Sequence, residues 1–122
     1  MGPLVSKVQR DKVLSFIESA KQEGARLVTG GKAPETQATK GGYFVLPTLF
    51  ADVKPTMRIA REEIFGPVQS IFRWEDEEEM WSIVNSTDYG LTGSIWTNDV
   101  ATAQRAVQRI ETGFVWCAVL SS

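Results

Sequence analysis

The second half of the chain alternates extended and helical patterns, and this alternation constrains the fold more than any other feature. Apolar, β-branched runs at 68–74, 91–97 and 114–120 predict strands. Between them, segments that begin at Asp76 and Asp99 have helical periodicity, with a carboxylate at each N-cap position. Strands that alternate with helices of about ten to fourteen residues are typical of βαβ units with right-handed crossovers. We therefore expect an α/β fold with one mainly parallel sheet flanked by helices.

The same periodicity assigns a buried face to each of the two helical segments. Glu79 follows Asp76 by three residues, which predicts a capping box with an acid in place of serine. The expected buried positions are Met80, Ile83 and Val84 in the first helix, and Val100, Ala103, Val107 and Ile110 in the second.

The first half of the chain opens with a long helical pattern from Ser6 to about Glu23. Its apolar stripe has the i, i+3, i+4, i+7 spacing and consists of Val13, Phe16, Ile17 and Ala20. Gly24 supplies a stop signal, and Arg26 to Thr29 then predicts a short strand.

The remainder of the first half predicts shorter elements. Residues 32–42 are polar and rich in Thr and Gly, and this composition predicts a loop. The extended run from Tyr43 to Val53 is broken at Pro47, which indicates an edge position or two short strands. Thr56 to Glu63 predicts a helical turn. The chain has no internal repeat and no second composition regime, so we expect a single domain over residues 1–122.

Two residue counts exclude whole classes of site within these 122 residues. Because there is no histidine, an imidazole base, a Ser-His-Asp or Cys-His site and a His-liganded metal are all excluded. Because Cys117 is the sole cysteine, an internal disulfide and a thiolate zinc cluster are excluded too. Cys117 lies inside the apolar run 114–120, so we expect a small buried hydrophobe rather than a nucleophile.

Charge and hydropathy narrow the expected partners. A net charge of −2 gives no reason to expect binding to nucleic acid or to an anionic membrane. No apolar run approaches the roughly 20 residues of a membrane helix, and the first residues lack the apolar core of a signal peptide. We expect a soluble, cytoplasmic protein. The acidic run from Glu75 to Glu79 is typical of a helix start, and we expect no metal there.

The segment from Arg61 to Val68 is the best candidate for ligand contact. It places two carboxylates, Glu62 and Glu63, before the ring of Phe65 and a Gly-Pro turn. A carboxylate can accept hydrogen bonds from both hydroxyls of a ribose, and the ring offers a flat apolar surface. The alternative is a surface acid pair with Phe65 packed into the core.

This segment also resembles the NAD(P)-dependent aldehyde dehydrogenase superfamily. The sequence EEIFGPV at 62–68 is similar to a signature of that family, and further segments resemble it in the same order along the chain. These segments are GPLV at 2–5, GYF at 42–44, PTLF at 47–50, NSTDYGL at 85–91, TND at 97–99 and GFVW at 113–116. Several spaced motifs in one order are far more specific than any single one.

The resemblance implies the C-terminal part of a catalytic, cysteine-bearing α/β domain, truncated at both ends. Family enzymes oxidise an aldehyde to a carboxylic acid through a thiohemiacetal on a cysteine, with NAD or NADP as hydride acceptor. By position, Glu63 is expected to bind the nicotinamide-side ribose and Phe65 to pack near the nicotinamide. Gln9 and Lys12 match positions near the cofactor's ribose. Their alternative is a frayed first helical turn, with the stem of Lys12 along apolar surface.

The resemblance also implies that the catalytic cysteine, the general-base glutamate and most of the dinucleotide site precede residue 1. Cys117 is then not the nucleophile, so we expect the isolated chain to be inactive and to bind the cofactor weakly. Apolar surfaces left by such a truncation favour a homo-oligomer. The alternative is a stand-alone, non-catalytic α/β module that acts in binding or self-assembly.

Overall fold

The structure, a computed structural model, describes residues 1–119 and contains two compact units. The first unit is Met1–Arg73 and the second begins at Trp74. Each unit has its own sheet, whereas the sequence predicted one. Single-domain organisation stays a prediction. Among residues 1–119, no helix is both long and apolar enough to cross a membrane.

The first unit begins with the long helix that the sequence predicts. This helix, α1, is Lys7–Gln22, and the hydroxyl of Ser6 caps it by accepting from the backbone N–H of Gln9 at 3.2 Å. Its buried residues are the four predicted ones, Val13, Phe16, Ile17 and Ala20. The apolar periodicity therefore predicted both the bounds and the buried face of α1.

A three-stranded sheet packs in the same unit. Its strands are β1 (Arg26–Thr29), β2 (Thr48–Ala51) and β3 (Val68–Ser70), in the order β1-β2-β3. The β1-β2 pair is antiparallel and the β2-β3 pair is parallel. The strand after Pro47 is therefore central, and the expected edge position is wrong. Pro47 precedes the strand, so the first ladder donor needed is the N–H of Thr48, which bonds to the oxygen of Pro67 at 2.8 Å.

The remaining elements of the first unit are short. The predicted loop at 32–42 contains one turn of 3₁₀-helix, Gln37–Thr39, and the predicted helical turn is α2, Arg58–Arg61. Strand β3 stops at Ser70 although its apolar pattern continues to Trp74, because its partner β2 ends at Ala51. The largest fully buried side chains in the unit's core are Phe16, Phe50, Ile17 and Val13.

The second unit contains the predicted alternation of helix and strand. Its elements are α3 (Glu77–Val84), β4 (Thr92–Thr97), α4 (Val100–Arg109) and β5 (Phe114–Val119). Strands β4 and β5 pair in parallel, as the βαβ pattern predicts. Asp76 and Asp99 are the N-caps, as predicted, and accept from the N–H groups of Glu79 and Thr102, both at 2.9 Å. Leu120, which the sequence placed in the last strand, lies outside the described residues.

The buried faces of α3 and α4 differ from the predicted ones. In α3 the buried residue is Trp81, whereas Val84 is exposed and Met80 and Ile83 are half-buried. The guanidinium of Arg109 lies 5.3 Å from the Trp81 ring centroid, so α4 covers the Trp81 side of α3. In α4 Ala103 is buried as predicted, together with Ala106, while Val100 and Val107 are exposed and Ile110 is half-buried.

One face of the β4-β5 sheet presents aromatic side chains to solvent. Trp96, Phe114 and Trp116 alternate onto this face by register, and each is more than half exposed. We name these three residues the aromatic face. Cys117 is also exposed, so the expectation that it is a buried hydrophobe is wrong. A continuous apolar strand is buried only where other elements cover it, and among the described residues β5 pairs with β4 alone.

Candidate cofactor-binding loop

The loop between α2 and β3 turns its side chains alternately outward and inward. Ile64 is only 8% exposed and belongs to the core of the first unit. Its neighbours Glu63 and Phe65 both face solvent, and Phe65 is 74% exposed. The alternative in which Phe65 packs into the core is therefore wrong, because Ile64 takes that place.

The backbone of Phe65 has a φ of 55°, in the left-handed region. That region is unfavourable for a large side chain because Cβ approaches the following carbonyl oxygen. A residue keeps this conformation only where its surroundings hold it. The loop therefore needs contacts that fix its backbone.

Gln9 of α1 supplies such contacts. Its amide nitrogen Nε2 donates to the carbonyl oxygen of Phe65 at 2.9 Å and to that of Ile64 at 3.2 Å. An amide NH₂ has two hydrogens, so both donors of Gln9 are used by the loop, while its Oε1 remains an acceptor. Two of the four predicted residues, Gln9 and Phe65, are thus in direct contact.

A second contact joins α1 to the same loop. A Cβ added to Gly66 would lie 2.5 Å from Cγ2 of Val13, which is fully buried on α1. Gln9 and Val13 are four residues apart and lie on one side of the helix. One side of α1 therefore holds both Phe65 and Gly66.

Lys12 is placed differently from the other three predicted residues. Its side chain is exposed, and its Nζ lies 5.7 Å from the ring centroid of Phe16. This agrees with the alternative in which its stem follows apolar surface and its charge stays in water. No hydrogen bond joins Lys12's ammonium to Glu63 or Phe65.

The Glu63 carboxylate is open to a ligand. Its neighbour Glu62 pairs with Arg58, with 3.0 Å between Nε and Oε1. Glu63 itself makes no ion pair with any residue from 1 to 119. Both of its oxygens are thus free to accept from a pair of adjacent hydroxyls, and the Phe65 ring is free to stack. A free carboxylate and an exposed aromatic ring are the kinds of group that suit a ribose diol and a flat nicotinamide ring.

A cavity of about 620 Å³ lies within the second unit, among α3, β4 and α4. Trp74, Trp81 and Trp96 are among its lining residues. None of the four predicted cofactor residues lines it. The cavity is lined mainly by apolar side chains. The candidate cofactor residues lie in the first unit, so the cavity is not part of the candidate site.

Sequence reasoning missed two contributions to this loop. It did not identify Ile64 as the anchor, although its position between two outward-facing residues was a usable signal. Its two interpretations of Gln9, a cofactor contact and a frayed first helical turn, did not include a contact with this loop. No sequence signal reveals the hydrogen bonds from Gln9, because they join residues 55 and 56 positions apart.

The chain is similar in sequence to known enzymes along almost its entire length. A profile of the aldehyde dehydrogenase family matches residues 1–121. The chain is 61% identical over 119 residues to aldehyde dehydrogenase tropH of Talaromyces stipitatus, covering 95% of this chain and 23% of that protein. It is 52% identical over 116 residues to betaine aldehyde dehydrogenase of Sinorhizobium fredii, covering 95% and 24%. The chain thus spans about a quarter of the length of these relatives.

Solved structures have the same fold. The Mycobacterium tuberculosis aldehyde dehydrogenase in complex with NAD⁺ superposes with a TM-score of 0.90 at 44% identity, covering all of this chain and 25% of that one. Betaine aldehyde dehydrogenase of Staphylococcus aureus in complex with NAD⁺ gives 0.92 at 37% identity, with 100% and 24% covered. From the profile, the relatives and the fold together, the chain belongs to the aldehyde dehydrogenase family.

Proposed function

We propose that this chain is the section of an NAD(P)-dependent aldehyde dehydrogenase that holds the nicotinamide side of the cofactor. It would be the C-terminal part of the catalytic domain. The observation that supports this best is the loop after α2, where Glu63 and Phe65 both face solvent on a backbone tied to α1 by Gln9.

Each of the two exposed side chains has a defined task in this proposal. Glu63 accepts hydrogen bonds from the two hydroxyls of the nicotinamide-side ribose, and charge-assisted bonds of this kind are among the stronger ones in proteins. Phe65 packs its ring against the nicotinamide. Gln9, through its Oε1, and Lys12 would be additional contacts to the same ribose in this proposal. When bound, the cofactor accepts a hydride as an aldehyde is oxidised to a carboxylic acid.

The nucleophile and the general base for that oxidation are supplied from outside this section. The chain has no histidine, and its one cysteine, Cys117, is an exposed residue of β5. A single unpaired cysteine suits a reducing compartment such as the cytoplasm. The section therefore contributes binding and orientation of the cofactor rather than covalent chemistry.

A chimera tests this function. The chain would replace its matching segment in the Talaromyces stipitatus relative, to which it is 61% identical. We expect the chimera to oxidise aldehydes with NAD⁺ or NADP⁺. In it, Glu63→Gln should raise the KM for the cofactor about tenfold or more, because two hydrogen bonds to a charged acceptor are weakened.

The control is Glu62→Gln, which removes a neighbouring carboxylate that is paired with Arg58. We expect it to leave the cofactor KM unchanged. The proposal fails if a folded chimera lacks activity, or if both variants change the cofactor KM equally.

A second candidate function is self-assembly of a non-catalytic module, and the aromatic face is the observation that favours it. Trp96, Phe114 and Trp116 leave one face of a parallel sheet open, whereas parallel sheets are ordinarily covered on both faces. A homo-oligomer that covers this face would satisfy that requirement.

Sedimentation velocity tests this second candidate. We expect the purified chain to form dimers or larger species as its concentration rises, and Trp116→Glu to shift it toward the monomer. Glu111→Gln, an exposed change in the loop before β5, is the control. A wild-type chain that stays monomeric at high concentration would contradict self-assembly.

A further inference from the structure

We propose that Gln9 is a positioning residue whose side-chain amide holds Phe65 in the left-handed conformation and so directs its ring outward toward the cofactor. This inference rests on the proposed function and deepens it. In this role Gln9 orients the loop backbone, in addition to any contact of its own with the ribose.

The geometry of the two hydrogen bonds supports this role. The carbonyl of Ile64 belongs to the peptide unit before the Cα of Phe65, and the carbonyl of Phe65 belongs to the unit after it. Peptide units are planar, so their orientations are set by rotation about φ and ψ of Phe65. Because Nε2 of Gln9 binds both carbonyls, at 3.2 Å and 2.9 Å, one amide group fixes both torsions.

The conformation that Gln9 fixes is one that Phe65 would otherwise leave. For a residue with a Cβ, the left-handed region is disfavoured by roughly tenfold. Phe65 is 74% exposed, so packing of its own ring does little to hold it at a φ of 55°. Ile64 in the core and Gly66 against Val13 hold the loop on either side of Phe65, but the hydrogen bonds to the two carbonyls that flank the Cα of Phe65 come from Gln9.

The position of Gln9 makes it suited to this task. It lies one turn before Val13, which is fully buried, so the backbone beneath Gln9 is rigid. Its side chain is half-buried, and its amide group donates both of its hydrogen bonds to carbonyls of the loop. A helix that is part of the core thus sets the torsions of an exposed loop.

Backbone NMR of the 122-residue chain, without any cofactor, tests the inference directly. Gln9→Met removes both donors and keeps side-chain length and helix propensity. We expect the amide-to-Hα coupling of Phe65 to move to an averaged value and the backbone ¹³Cα shift of Phe65 to move toward its random-coil value. The core signals of Phe16 and Ile17 should stay in place.

Gln22→Met is the matched control, because it makes the same change at an exposed position of the same helix. It should leave the Phe65 coupling unchanged. Phe65→Gly provides a rescue, since glycine adopts the left-handed region without strain. In that background, Gln9→Met should no longer alter the ¹³Cα shift of residue 65, whereas a general packing role would make Gln9→Met act equally in both backgrounds.

A second measurement uses the active chimera. There, Gln9→Met should raise the cofactor KM several-fold with little change in kcat, since it loosens a binding loop and touches no reacting atom. The inference is overturned if Gln9→Met leaves both the Phe65 coupling and the Phe65 ¹³Cα shift as in wild type. Its failure is distinct from failure of the proposed function, which is decided by Glu63→Gln.

Discussion

Single residues decide how the loop after α2 presents its side chains. Glu63 and Phe65 could be singled out from the sequence because a carboxylate and a ring beside a Gly-Pro turn have a recognisable chemistry. The backbone of the loop could not be predicted. Its left-handed Phe65 and its hydrogen bonds to Gln9 depend on the approach of α1, which is distant in sequence.

Gly66→Ala tests the close approach of α1 to this loop. The added Cβ would meet Cγ2 of Val13 at 2.5 Å, and a buried β-branched side chain has little room to move. We expect the free energy of unfolding to fall by about 1–3 kcal/mol, the usual cost of overpacking. Urea denaturation followed by far-UV circular dichroism measures it. Gly2→Ala, which adds the same methyl to open space, should have no effect.

Ile64→Ala tests the anchor of the same loop. The side chain is 8% exposed in the core of the first unit, so we expect a loss of about 2–5 kcal/mol in the free energy of unfolding. The comparison is Ile71→Ala, because Ile71 is 40% exposed and should cost much less. Equal losses in urea denaturation would show that Ile64 is not the anchor.

Entire helices and strands were predicted best where local signals are strong. Polar N-caps and apolar periodicity predicted both bounds of α1 to within about one residue and the start of α4 after Asp99. The central place of β2 was not predictable, because it depends on which strands come to lie on its two sides. The buried face of α3 was missed for a similar reason, since its Trp81 is covered by Arg109 from another helix.

The N-cap of α4 gives this element a dependence on pH. The pKa of Asp99 is lowered by the hydrogen bonds it accepts from the Thr102 hydroxyl and from the N–H groups of Thr102 and Ala101. A lowered folded-state pKa means that the stabilisation is present above the unfolded pKa and is lost as pH falls through the folded one. We therefore expect α4 to lose stability in acid.

Asp99→Asn checks that expectation. Asparagine keeps an acceptor oxygen but does not titrate in this range, so the variant should lose less of its stability between about pH 6 and about pH 2 than wild type does. The measurement is thermal unfolding followed by far-UV circular dichroism across that range. Asp88→Asn, in the loop before β4, should keep the wild-type profile. If Asp99→Asn also keeps it, the cap is not the titrating contact.

At the scale of the whole molecule, the alternation of strands and helices predicted an α/β fold with parallel pairing, and the structure confirms both. The alternation could not predict that the strands form two sheets, since sheet membership depends on contacts between distant segments. Nor could it predict the open aromatic face, because an apolar strand looks the same in sequence whether it is covered or not.

The isolated 122-residue chain should neither oxidise aldehydes nor bind NAD⁺ or NADP⁺ tightly. One ribose contact does not offset the entropy lost on association. Absorbance assays with several aldehydes and isothermal titration calorimetry measure the two properties. Turnover that Cys117→Ser abolishes would make Cys117 the nucleophile, and tight binding that Glu63→Ala abolishes would make the chain a self-sufficient cofactor module.

All four tryptophans, at 74, 81, 96 and 116, lie in the second unit, and the first unit has none. Tryptophan fluorescence therefore comes from the second unit alone, with one shielded indole at Trp81 and three exposed ones. The first unit, where Gln9, Glu63 and Phe65 lie, contributes no tryptophan to this signal. Tyr43, whose ring centroid lies 6.0 Å from the guanidinium of Arg10 on α1, or a probe introduced beside it would let the first unit be followed separately in the same sample.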